Sequence, residues 1–514
     1  MTAHEIFLAL MVLGLFAGIL SGIPAMLAIA GVPLVTAVIG HLFGAFDLGF
    51  LSFLPARVWG IMSNNLLMAV PLFVMMGVLL ERARLAEDML GVLARMMGGS
   101  TRGMGLSVLF FSAMIAAATG IIGATVVMLV LVGLKPMLDA GISKRQASGL
   151  ICASGTLGQI IPPSILLVLL GDQIGNTYLE AQQKAGNFAP QPVSVGDLFA
   201  GALIPGLVLV GLYALYLFFA LRPRADAPPR PQAERVSRAE IATTFLPPML
   251  LILAVLGSIL GGIATATEAA GLGAIGAMLL AAFKAAPHRA ERILIVATGL
   301  AAFALVALQV AGLGRNTGNG FAGLFAVAAG GLIAIGTLAA AVRLWRKDTL
   351  RSALMETIKI SGMVFGIVIA ASLLSLVFRG FGGDHLVTEL IGHLPGGHFA
   401  ALAIIMLLVF FLGFILEAVE IIYVVVPLLG PAVLGTDISP VWFGVLMAMN
   451  LQTSFLTPPF GFALFYFRSA APRSITTVDI YRGVIPFVIL QLIALAILAA
   501  FPELATWLPH VIFG

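Results

Sequence analysis

Two apolar segments of this chain are each interrupted by a polar, glycine- or threonine-bearing stretch that closes on a proline pair. No other feature limits the fold so strongly. The first reads Ala153-Ser-Gly-Thr-Leu-Gly-Gln-Ile-Ile-Pro-Pro-Ser164, and the second, near the far end, reads Asn450-Leu-Gln-Thr-Ser-Phe-Leu-Thr-Pro-Pro-Phe460. Paired prolines remove backbone donors and clash with the preceding turn, so a helix that enters either stretch breaks there. Carbonyls near Gly155, Thr156 and Ile160 then lose their helical partners. In hydrocarbon such carbonyls need protein, water or a cation. Two broken helices at matching places in two halves point to the binding site of a secondary transporter.

The hydrocarbon setting follows from composition. The 514 residues are 61% hydrophobic and 10% charged, with mean hydropathy +1.11. Apolar runs of about 20 residues recur, each enough for one membrane-spanning helix. The net charge of +4 lies between those runs, which reads as loop charge and not as a nucleic-acid patch. The expected partner is therefore a lipid bilayer, with no nucleic acid. The single cysteine, Cys152, rules out an internal disulfide and reads as a packing residue. The chain opens His4-Glu5 and turns apolar without the basic start of a secretory signal, so residues from 4 onward read as the first membrane helix.

Basic residues orient the runs through the positive-inside rule. Residues 1–81 read as scaffold helices: a pair at 4–21 and 23–42, a loop with Arg57 and Trp59, and a third span at 64–81 carrying Pro71. Arg82–Arg102 reads as an amphipathic interfacial helix, with Leu85, Met89, Leu90 and Leu93 at helical spacing. The stretch 105–134 would be roughly 45 Å long as one helix, against a hydrocarbon core of about 30 Å. Arginines precede it and Lys135, Lys144 and Arg145 follow it. It must turn back, as a re-entrant hairpin with its tip at 118–123. The first repeat, 82–221, then continues with the broken helix at 147–171, a polar outer loop from Asp172 to Asp197, and a span at 200–221.

Arg222–Arg238, with five arginines and several prolines, reads as a cytoplasmic linker, and 222–283 adds two Gly/Ala-rich helices. Residues 284–350 read as an inserted helical pair flanked by basic residues. In the second repeat, 351–502, a span at 359–378 crosses outward, and no Lys or Arg occurs between Gly380 and Phe467. The stretch 399–433 becomes a second re-entrant hairpin from the opposite face, with its tip near Gly413–Glu420. The broken helix at 441–467 and a span at 483–501 follow. Both termini, including 503–514, are expected in the periplasm. The fold class is an all-α polytopic membrane protein built as an inverted repeat. Topology and the Pro-Pro pairs carry that inference. Ungapped alignment of 142–163 with 438–459 matches only Ile142/Ile438, Ser143/Ser439, Leu150/Leu446, Pro162/Pro458 and Pro163/Pro459.

Ser154, Gly155 and Thr156 at the first break, and Asn450, Thr453, Ser454 and Thr457 at the second, offer the oxygens a hard cation such as Na⁺ takes. The plainer role for each hydroxyl is a bond back to its own helix. Glu417 and Glu420 sit at the second tip, where an acid in hydrocarbon costs about 2.5 kcal/mol or more unless paired or wet. They read as a gate or cation site, or as a pair that holds the tip. Glu268 reads as structural, and His385, His393 and His398 as an ordinary solvated loop. No phosphate loop, nucleophile elbow or HExxH is present.

These two breaks, with Thr267-Glu-Ala-Ala270 and Pro440-Val-Trp-Phe-Gly-Val445, make the sequence resemble the large membrane subunit of a TRAP (tripartite ATP-independent periplasmic) transporter over residues 4–283 and 351–502. The resemblance implies an elevator-type secondary transporter of the ion-transporter superfamily in the bacterial inner membrane, without covalent cofactor, in which Na⁺ drives uptake of an organic acid. It also implies a periplasmic substrate-binding protein and a small four-helix membrane subunit as partners. Carried over by position, one site is the Thr119-Gly120 tip, Gly123 nearby, with Ser154–Thr156 and Pro162. The other is the Glu417 tip with Thr453, Ser454, Thr457 and Pro458. The family's usual Ser-Gly-Ser tip is Thr119-Gly120-Ile121 here, and its usual single aspartate is Glu417 with Glu420, as in a branch associated with 2-oxo and lactate-like acids. C4-dicarboxylates are the other expected class. The helices at 285–350 have no counterpart in the common pattern. The competing expectations are a single-component sodium/dicarboxylate symporter of the same superfamily and, more remotely, a polytopic membrane enzyme.

Overall fold

The computed structural model describes residues 2–98, 100–120, 122–221, 236–310, 321–392 and 395–514. Ile121, His393 and residues 222–235 of the expected linker lie outside that set. Among the described residues the ordered elements are all helices, and nine are long and apolar enough to cross a membrane. Several start at a Ser or Thr whose hydroxyl accepts a backbone N–H, while the acid or amide three residues on reaches back: Thr2/Glu5, Ser143/Gln146, Ser194/Asp197, Thr265/Glu268 and Thr476/Asp479. Each box satisfies two of the donors a helix start leaves bare. Glu268 is therefore the exposed partner of Thr265 and caps Ala266–Ala285.

The first expected hairpin does turn. Thr101–Thr119 ends at Gly120, whose φ is +58°, and the chain resumes as Ile122–Leu129. Thr101 Oγ1 donates to Ala140 O at 2.8 Å, and Gly133 faces Val108. Both pairs are centred on 120–121, as two antiparallel arms require. The second pair, Gly397–Leu412 and Ala418–Leu429, is joined by a turn at 413–416. The order hairpin, broken helix, long helix occurs twice. The broken helices are Lys144–Thr156 with Ile165–Lys184, and Pro440–Leu456 with Phe462–Ala470; the long helices are Val195–Ala220 and Thr477–Ala500.

Several boundaries differ from expectation. The segment holding Arg57 is helical, not a loop: Asp47 caps Leu48–Phe53, and Pro55 sits in the first turn of Leu54–Met62. The third span is Ala69–Arg82, so Pro71 also falls in a first turn, where its missing N–H has no helical acceptor to lose. The interfacial helix is shorter, Leu85–Met96, and buries Leu85, Met89 and Leu90. The first broken helix continues past 171 to Lys184, so that of the expected outer loop only 185–194 precedes the next helix. The 359–378 span is the 32-residue helix Thr349–Gly380. The C-terminal segment folds as Glu503–Phe513 against Val195–Ala220.

The inserted pair is Arg289–Val310 and Phe321–Arg346, packed on each other. The Ala285 carbonyl accepts from Arg343 Nη2 at 3.3 Å and Lys347 Nζ at 3.0 Å, so cations close the end of the preceding helix. The two repeats meet most closely where Lys144–Thr156 crosses Thr477–Ala500. A Cβ on Gly149 would overlap Gly483 O, and one on Gly483 would overlap Arg145 O. Gly149→Val and Gly483→Val should each destabilise the protein by about 1–3 kcal/mol, read as a lower apparent Tm in detergent. Gly60→Val, where a Cβ has open space, is the control, and an equal loss there would remove the crossing as the cause.

Candidate functional site

At the first break the freed peptide groups find near partners. Leu157 O accepts from the N–H groups of Ile160 and Ile161, and Ser164 Oγ donates to Gln159 O at 3.0 Å. The Pro162–Pro163 bond is cis. Ser154, Gly155 and Thr156 are all buried. Val126 of the first hairpin occupies the space a Gly155 side chain would need. Thr156 Oγ1 donates to Ala153 O at 2.8 Å, whereas Ser154 Oγ has no hydrogen-bond partner among the described residues.

At the second break Pro458–Pro459 is also cis. Thr453 Oγ1 donates to Met449 O at 2.8 Å and Thr457 Oγ1 to Thr453 O at 2.7 Å. A hydroxyl that donates to a carbonyl keeps its lone pairs, so both remain able to ligate a cation. Asn450 Nδ2 and Ser454 Oγ instead donate to Met406 O and Phe410 O of the hairpin arm, each at 2.6 Å. Two side chains one helical turn apart meet two carbonyls one turn apart, which fixes the arm on the broken helix.

The tips meet at a residue that sequence reasoning missed. Tyr466, on Phe462–Ala470, donates its hydroxyl to Glu417 Oε1 at 3.3 Å. Its ring lies against Gly123 of the other hairpin, where a Cβ would come within 2.8 Å of two ring carbons. Glu417 N–H donates to Glu420 Oε2 at 3.1 Å, so Glu420 holds the tip from behind. The first tip rests on the first break, with Gly120 against the Ile165 backbone. Thr119 ends the first arm, and its side chain is outside the described set.

These contacts enclose a cavity of about 120 Å³. Gly120, Gly123, Gln159, Glu417, Phe455 and Tyr466 line it from the hairpins and breaks, and Ile360, Met363 and Val364 of Thr349–Gly380 form another side. Among the described residues no Lys, Arg or His borders it. Of the expected site residues, Gly120, Gly123 and Glu417 reach this cavity. Ser154, Gly155, Thr156, Pro162, Glu420, Asn450, Thr453, Ser454, Thr457 and Pro458 stand outside its lining.

A second group was also missed. Gln491 Nε2 donates to Thr156 Oγ1 at 3.5 Å. Tyr213 lies beside Gln491 and Gln452, yet among the described residues its hydroxyl forms no well-aligned hydrogen bond, and neither do Gln491 Oε1 or the Gln452 amide. Buried groups left so call for ordered water or an ion. Amides inside apolar runs were the available signal for the glutamines. For Tyr466 it was the lone tyrosine of 441–467.

Residues 6–318 and 300–504 match the family described as "Tripartite ATP-independent periplasmic transporter, DctM component". The chain belongs to that family. Among curated relatives of this TRAP permease, the C4-dicarboxylate TRAP transporter large permease protein DctM of Vibrio cholerae is 26% identical over 451 residues, covering 87% of this chain and 86% of its own length. The sialic acid TRAP transporter large permease protein SiaM of Vibrio cholerae is 26% identical, over 90% and 91%. The ectoine TRAP transporter large permease protein TeaC of Halomonas elongata is 25% identical, over 96% and 97%. The crystal structure of the Alcanivorax borkumensis YdaH transporter covers 90% of both chains at 15% identity with a TM-score of 0.53, a likeness of fold.

Tyr466→Phe keeps the ring over Gly123 and removes the bond to Glu417. A hydrogen bond to a charged group contributes about 1.5–3 kcal/mol, so backbone amides at 413–420 should exchange with deuterium roughly 10- to 100-fold faster in this variant, while 122–129 stays unchanged. Unaltered exchange at 413–420 would mean that Tyr466 does not hold the second tip.

Proposed function

We propose that this TRAP permease takes up an organic acid, a 2-oxo or 2-hydroxy acid or a C4-dicarboxylate, by symport with sodium. The acid is delivered by a periplasmic binding protein, and a small four-helix membrane subunit completes the assembly. The hairpins act as re-entrant tips entering from opposite faces. The broken helices and hairpins move as one body against the scaffold that includes Thr349–Gly380, in the manner of an elevator.

The observation that carries this reading is the charge of the central cavity. It is bordered by the Glu417 carboxylate and by no basic side chain among the described residues. An organic anion there faces a like charge; at about 5 Å and an effective dielectric of about 20, that costs about 3 kcal/mol. A cation bound with the substrate removes the penalty, which makes coupling a condition for occupancy. Ser154 Oγ, buried and without a partner among the described residues, the lone pairs of Thr453 and Thr457, and the one that the Gln491 amide leaves on Thr156 supply oxygens of the kind sodium takes. Ser454 and Asn450 support the site by fixing the arm. Gly155 serves by letting Val126 approach.

In proteoliposomes, uptake should need both an inward sodium gradient and the binding protein. Uptake at full rate without the binding protein would favour the single-component symporter. Thr156→Val and Thr453→Val each remove one oxygen ligand worth about 1–2 kcal/mol and should raise the half-saturating sodium concentration roughly 5- to 30-fold. An unchanged sodium response in both variants would count decisively against sodium at the breaks.

A further inference from the structure

A second cavity, about 360 Å³, lies farther along three of the helices that line the first. On Ile165–Lys184 the central cavity takes Ile165 and Leu169, and the second takes Asp172, Asn176 and Glu180. On Thr349–Gly380 the sequence runs from Ile360 and Val364 to Val368, Ser372, Ser375 and Arg379. On Ala418–Leu429 it passes from Ile422 to Tyr423 and Pro427. Leu54–Met62 closes the far side with Arg57 and Gly60. By the distribution of basic residues this end of the bundle is the outer one.

Most charges here are already matched. Arg379 holds both oxygens of Glu180, at 2.7 and 2.9 Å, and Lys184 reaches the same carboxylate at 3.1 Å. The Asp172 carboxylate accepts from Asn64 Nδ2 at 2.8 Å and from the Tyr423 hydroxyl at 3.1 Å. Arg57 differs, for among the described residues it makes no hydrogen bond or ion pair. Burial and the like charge of Arg379 lower its pKa, with Glu180 pulling the other way. Ser372 and Ser375 line the same cavity, and their hydroxyls likewise show no partner among the described residues. Three donors without an acceptor therefore share one cavity.

We propose that this cavity is an outer vestibule that binds the carboxylate of the incoming organic acid, with Arg57 as its cation and Ser372 and Ser375 as further donors. Asp172, held by neutral donors, turns the anionic end of the ligand toward Arg57. The vestibule passes the acid on to the central cavity along the shared helix faces. The inference rests on the transport reading for the identity of the ligand, and on the cavity alone for its preference for anions.

The test places a thiol at Gly60, where a Cβ has open space, in the full chain in nanodiscs. Cys152 is buried, and the unsubstituted chain is the labelling control. Gly60→Cys should react faster with a sulfonate-bearing methanethiosulfonate than with its trimethylammonium analogue, relative to their rates with a free thiol. Adding Arg57→Gln should lower that preference at least about fivefold, because a cation in a low-dielectric cleft concentrates anions. Arg57→Lys should restore most of it. A preference within twofold of the parent after Arg57→Gln overturns the vestibule whether or not the chain transports anything. Succinate, pyruvate and lactate uptake, assayed with the binding protein, reads the other half. If none of them accumulates while the anion preference stands, the transport reading fails and the anion site remains.

Discussion

A peptide group without a partner is not tolerated in hydrocarbon, and the structure is arranged around meeting that demand at two places. Each proline pair interrupts a helix; the first interruption is buried, and the second leaves Pro459 and Phe460 exposed but bonds the Pro459 carbonyl. Ser164 returns to Gln159 O at one break, and at the other Tyr481 donates to Pro459 O at 2.9 Å. The hairpins supply the rest of the cover, with Val126 pressed on Gly155 and Gly413 against Ser454. Hairpin and broken helix therefore form one unit in each half. Separating them would expose polar backbone.

The two units are joined by Tyr466. Its ring requires a glycine at 123 and its hydroxyl ends on Glu417, so one side chain spans both tips. The residue contributes packing to one half and a directional bond to the other. The Gly149/Gly483 crossing makes a second junction through backbone alone. Neither contact leaves room for a larger residue, which explains why small residues recur where the halves touch.

How far this could be read from sequence depends on whether the signal is local. Proline pairs, glycine at 120 and the excess length of 105–134 are local, and they located both breaks and the first turn. Helix ends beyond the apolar runs were missed because hydropathy stops where lipid stops. Yet Leu170, Ile174, Thr177 and Ala181 are buried at helical spacing, so the continuation to Lys184 was written in the periodicity. The Arg57 segment carried a cap and a first-turn proline, signals lost beside stronger ones. Tyr466 with Glu417 and Gln491 with Thr156 had no comparable trace, since each joins residues distant in the chain. The oxygens of Asn450 and Ser454 were legible as polar groups but not as ties to a hairpin, because a carbonyl acceptor leaves no mark in sequence.

The two cavities differ in chemistry along a single path. The outer one holds the Arg57 guanidinium, which has no ion pair among the described residues, with two serine hydroxyls, the hydrogen-bonded Asp172 carboxylate and the Arg379–Glu180 pair; the inner one is mostly apolar and carries the Glu417 carboxylate. Under the proposed function, an organic anion moving inward leaves the Arg57 guanidinium for the Glu417 carboxylate. On that reading the anion alone would stay outside, and the step inward would become accessible as a cation joins it near Glu417. In that arrangement coupling needs no separate gate. It would follow from Arg57 at one end of the path and Glu417 at the other, and from the helix Thr349–Gly380, which lines both cavities.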